Sequence, residues 1–132
     1  MSFSDTLEGQ VLDHLFGLAT WTAPTHLYIG LSTADPGDDG ATLAEPAGNA
    51  YARVLCDPGA ANWTRTNSTV DNDAAIEFPQ ASGSWGTLTY VCFFTAASGG
   101  TPLLSYALTV GKSVAAGQVA RFSAGTLDTT QG

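Results

Sequence analysis

Beyond Pro24 no apolar run in this chain keeps a helical period. The hydrophobic residues come in short stretches cut apart by Gly, Pro, Ser, Thr, Asn and Asp. Such punctuation leaves room for strands of roughly 4–8 residues and tight turns, and it argues against the strand–helix alternation of a parallel sheet. Leu27, Ile29 and Leu31 alternate with Tyr28, Gly30 and Ser32, the pattern of a strand with one buried face. Residues 51–56, 74–78, 87–94, 103–110 and 119–123 read as further strands, and 87–94 is apolar enough to be central. Gly111 and the Ala116-Gly117 pair mark turns. The expected fold is mainly β, an antiparallel β-sandwich or jelly-roll-like barrel, in a single domain over 1–132.

Ahead of this region lies one helix, expected over about 4–16, where Leu7, Val11, Leu12, Leu15 and Phe16 form an apolar stripe. Asp5 and Glu8 make a weak capping pair near its positive end, and Gly17 suits its stop. A helix of about three turns is marginal alone. The stripe must therefore dock, first of all on its own chain, otherwise on a neighbouring subunit. The segment 35–49 is expected as a surface loop, since Pro36 and Pro46 cannot extend a ladder. Residues 62–73 read as a polar connection in which Trp63 anchors a turn or faces an interface. The polar tail 128–132 is expected to fray.

Charge removes several classes of function. Four Lys and Arg against twelve Asp and Glu give a net charge of −8, which opposes phosphate contact, so no nucleic-acid partner is expected. No run reaches the roughly 18 apolar residues of a membrane span, and MSFSDTLEGQ carries acids where a signal peptide is basic. Synthesis in the cytoplasm without a membrane partner is the expectation. With only 12% charged residues, the surface is finished by Ser, Thr, Asn and Gly, which are easily desolvated against a partner.

No catalytic set assembles from the residues present. His14 and His26 lack an accompanying nucleophile motif, and Cys56 and Cys92 sit in apolar runs as expected of buried thiols. Asp35, Asp38 and Asp39, like Asp71 and Asp73, lack the spacing of a calcium loop and read as solvated turn acids. Nothing places Glu45 and Glu77 across a cleft as a glycosidase needs. Ser98-Gly99-Gly100-Thr101 reads as a hairpin connection, because no Lys follows as in a phosphate loop. Neither an enzyme nor a cofactor is expected.

The order of segments carries a resemblance. SDTLEGQVLDHLFG is followed by WTAPTHLYIGLSTADP, then a Gly-rich loop into YARV, then AAIEFPQASGSWGTLTYVCFFTAASGGTPL, and a closing RFSAGTLDTT. Over nearly its whole length the chain resembles small tailed-bacteriophage virion proteins of the tail-fibre-like and capsid-decoration kinds. The resemblance implies a β-sandwich, a homo-oligomer, expected as a trimer, and a capsid-surface protein that binds the major capsid protein and stabilises the head. Its alternative is a tail-fibre or tail-tip component that recognises a host surface. Candidate contact residues are Leu7, Val11, Leu12, Leu15, Phe16, Trp63 and Trp85. In the fibre reading, Trp63, Trp85 and Tyr51 would line a sugar site.

Overall fold

The computed structural model describes residues 2–130. It is mainly antiparallel β-structure with one short helix. Strands β1 (Ser2–Phe3), β2 (Tyr28–Ser32), β3 (Val54–Leu55), β7 (Gly86–Phe94) and β8 (Leu104–Val114) form a sheet in the order β1-β8-β7-β2-β3. β4 (Trp63–Thr66), β5 (Thr69–Asn72) and β10 (Thr129–Thr130) form a second sheet, and β6 (Ile76–Glu77) pairs with β9 (Arg121–Phe122). All three sheets are open, so the barrel form of the expectation gives way to packed sheets. Strands of two to four residues are too short to bridge the edges of the large one.

β7 is central, as its apolar run predicts. Val91 and Phe93 share a face with Ile29 and Leu31 of β2. On that face they join Ile76, Phe78, Trp85, Val114, Ala120 and Leu127 in one hydrophobic core, with Trp63 and Phe122 packed at its margin. The two small sheets thereby cover one side of the large sheet.

The second side is where the sequence reading fails. β2 is buried on both faces from Ile29 to Ser32, because the segment after it folds back over the even-numbered positions. Ser32 Oγ accepts the Ala44 N–H at 3.0 Å, and Thr33 N–H reaches the Ala44 carbonyl at 3.0 Å. The 35–49 loop, expected on the surface, is thus partly interior, with Pro36 fully buried. Arg53 locks it down. Its guanidinium, 3% exposed, forks onto both carboxylate oxygens of Glu45 and lies 3.3 Å above the Phe94 ring centroid. It also donates to the carbonyls of Ala96 and Gly99, at 2.8 and 2.9 Å. Tyr51 Oη donates to Glu45 at 2.7 Å and accepts the Leu31 N–H at 2.9 Å, at an edge of β2 that the short β3 leaves uncovered.

Elsewhere the strands differ from expectation in extent. The polar connection holds a hairpin, β4–β5, turned at Asn67 with φ 55°, a backbone that Asn tolerates better than most residues. Gly111 lies inside β8 rather than in a turn. There the register slips between Leu88 and Tyr90, and β8 carries the additional residues. Such a bulge, next to Lys112, blunts the outer edge of β8, where β1 covers only Leu104 and Ser105. In the tail, Thr129 and Thr130 pair with β5, while Gln131 and Gly132 lie outside the described residues.

Removing one member of a buried ion pair leaves the other uncompensated. Arg53→Ala should lower unfolding free energy by about 3–5 kcal/mol in denaturant titrations. Arg53→Lys should restore little of this, because an ammonium cannot make the planar fork. Gly30→Ala should cost about 1–3 kcal/mol, since a Cβ there would sit 2.8 Å from Phe94 and 3.1 Å from both Glu45 and Tyr51.

Candidate interaction surface

The helix α1 (Asp5–Leu15) forms for the reasons its sequence suggests, but it does not dock as expected. Its cap is Ser4, whose Oγ accepts the Leu7 N–H at 3.2 Å, and Asp5 and Glu8 occupy the first turn near the positive end. Gly17, at φ 71°, turns the chain, and the Leu18 N–H closes on Asp13 O at 2.8 Å. The N-terminal end is fastened to the large sheet and the long loop, by β1 on β8, by Ser4 N–H on Leu103 O and by Asp5 N–H on Asp38 O. Leu7 is the one buried helix residue.

The rest of the stripe lies in solvent. Val11 is 38% exposed, Leu12 55%, Leu15 72% and Phe16 71%, and Leu18 just beyond the helix is 77% exposed. Intramolecular packing, the first expectation for this stripe, is therefore corrected for all but Leu7. Large apolar side chains left in solvent together on one short segment are the mark of an interaction surface.

The aromatic candidates behave in the opposite way. Trp85 is buried, donates its indole N–H to Asn49 O at 2.9 Å and meets Tyr51 edge-on at 5.2 Å. Burial, reinforced by the adjacent Glu45 carboxylate, pushes the Tyr51 hydroxyl far above its usual range. Trp63 is half-buried, its N–H shared by the carbonyls of Cys56 and Asp57 and its ring 6.1 Å from Phe93. Trp85 belongs to the core, and Trp63 and Tyr51 pack against it. Sequence reasoning passed over Trp21, the third Trp, which stands outside the core beside helix α1. Its backbone N–H donates to His14 Nδ1 at 3.2 Å. An isolated Trp among Thr residues, in a segment with no period, was the available signal.

The ionisable candidates mostly serve the local fold. Asp35 and Asp39 cap their own turns by accepting the N–H groups of Gly37 and Ala41. His26 pairs with Asp57 at 2.9 Å, both exposed. Cys92 is buried and its thiol is pushed up to about 12, chiefly by desolvation; half-buried Cys56 is raised for the same reason, and both are free. Asp71 on β5 is raised above the usual carboxylate range because it shares a hydrogen bond with Asp128, near Tyr106 and Thr129.

With this geometry in view, a comparison with protein families matches residues 2–130 to podophage GP4 fiber I protein gp80. The chain belongs to that family. It is a phage virion structural protein, as the order of its segments suggested. No curated protein matches it. Among the described residues no helix is long and apolar enough to cross a membrane.

The Asp71–Asp128 pair makes a pH prediction. A carboxyl raised in the folded state holds its proton more tightly there, so its stabilising contribution is present in acid. It is lost as pH rises from the ordinary aspartate range through the raised value. Asp128→Asn should return Asp71 toward that ordinary range in an NMR carboxyl titration and flatten the dependence of melting temperature on pH in the same window.

Proposed function

We propose that this chain is a non-catalytic subunit of the phage fibre, mounted through the exposed face of helix α1 and acting by adhesion. The observation that carries the proposal is the solvent-facing row Leu12, Leu15 and Phe16 on a helix tethered at one end. A helix of this length gains most of its stability from covering an apolar face. Bringing such faces together removes their apolar side chains from water. Copies of the chain are the natural occupants, and a closed ring of three uses the face without open-ended polymerisation.

The description of the matching family as a fibre protein supports the fibre over the capsid-decoration reading, which is left with the resemblance alone. Adhesion rather than catalysis fits the fate of the reactive side chains: Glu45 is forked by Arg53, and the Cys92 thiol is buried and held protonated.

Leu12→Asp and Leu15→Asp test the mounting surface. Both positions are exposed in the single chain, so each variant should keep its β-structure and a cooperative melting transition. The mass by light scattering should fall from oligomer to monomer. Variants that unfold would return the stripe to a core role, and an unchanged oligomer would show that the face is unused.

A further inference from the structure

We infer that the cleft between helix α1, residues 20–26 and the connection from β7 to β8 binds a neutral oligosaccharide, with Trp21 as its stacking platform. The inference rests on the fibre reading, to which it adds a ligand class and a place.

The cleft is open to solvent and has a volume of about 570 Å³, inside the range of roughly 300–1,000 Å³ found for small-ligand sites. Its polar lining is almost wholly uncharged. Thr6 and Gln10, one helical turn apart, line one wall, Thr22 and Thr25 the second, and Thr95 and Thr101 the third. Hydroxyl and amide groups both donate and accept hydrogen bonds, as sugar hydroxyls do. No Asp, Glu, Lys or Arg lines the cleft. His26, its one ionisable lining residue, already faces Asp57. With a net charge of −8 over the chain, an anionic glycan would meet repulsion and no counter-charge.

Trp21 supplies what a polar cleft otherwise lacks. Trp63 and Trp85 have their rings in the core and their indole N–H groups on backbone carbonyls. The Trp21 ring is half-buried at the cleft and belongs to no aromatic cluster, and among the described residues its indole N–H meets no acceptor. A flat apolar face with a polar edge suits the C–H face of a pyranose ring and its flanking hydroxyls. Thr6 and Gln10 also lie on the side of the helix away from Leu12 and Leu15, at roughly 100° per residue. Assembly through the apolar stripe therefore leaves the cleft open, and repeated copies would multiply a weak individual affinity.

The full-length chain should be applied to an array of neutral hexose and N-acetylhexosamine tri- and tetrasaccharides, with sulfated and sialylated counterparts as the charged arm. Saturable binding is expected on the neutral arm only, little changed by salt. Trp21→Ala should weaken it at least tenfold, and Gln10→Ala or Thr101→Ala several-fold. Circular dichroism and the oligomeric mass should not change in any of them, since none of these residues belongs to the core or the stripe. No saturable binding to any neutral sugar, undiminished binding by Trp21→Ala, or salt-sensitive binding confined to the charged arm would each overturn the inference. Failure here with fibre incorporation intact leaves the fibre reading standing. Glycan binding by a chain located on the head would instead remove the fibre reading and keep the cleft.

Discussion

One buried cation organises the second face of this protein. The chain has four Lys and Arg, and it places Arg53 almost wholly out of water, between the Glu45 carboxylate and the Phe94 ring. Desolvating a guanidinium is tolerable only where nearly every donor finds an acceptor. Here Glu45 takes a planar fork and the carbonyls of Ala96 and Gly99 take the remaining reach. Three parts of the chain that are distant in sequence meet on this one side chain: the long loop after β2, the approach to β3 and the connection from β7 to β8. Together with the backbone bonds of Ala44 to Ser32 and Thr33 and the Tyr51–Glu45 contact, it lays the loop on the sheet and gives β2 a second buried face that its alternation does not suggest. The same contacts hold Thr95 and Thr101 beside helix α1, so the interior pair also sets the rim of the exposed cleft.

Much of the architecture was legible because it rests on local signals. The helix announces itself by its stripe, β2 and β7 by their apolar residues, and the centrality of β7 by its lack of polar interruption. What could not be read was long-range. Nothing adjacent to Glu45 or Arg53 in sequence says that they pair, so the Gly- and Pro-rich segment between β2 and β3 looked like surface. The β4–β5 hairpin escaped because Thr, Arg and Asp carry no apolar alternation. Its stability comes from ladder bonds and from Asn67 at the turn. Gly111 was taken for a turn because a bulge and a turn use the same residue type.

The candidate surface was half legible for a related reason. Periodicity identifies an apolar stripe but not what covers it, and the same five residues suit a core and an interface equally well. Only the tether at Ser4 and Asp5, which holds the helix by its first turn, shows that Leu12, Leu15 and Phe16 face outward. For the tryptophans, isolation in a polar stretch left Trp63 either anchoring a turn or facing an interface. Its indole N–H is held by the carbonyls of Cys56 and Asp57.

The protein thus divides its aromatic and apolar residues between an interior closed by Arg53 and an exterior helix left for contact. A cryo-electron-microscopy reconstruction of the intact virion tests that division most directly. The account predicts density for this chain in the fibre, with the Leu12, Leu15 and Phe16 side of helix α1 buried against a neighbouring copy. Density on the head shell, or in the fibre with that side open to solvent, would contradict it.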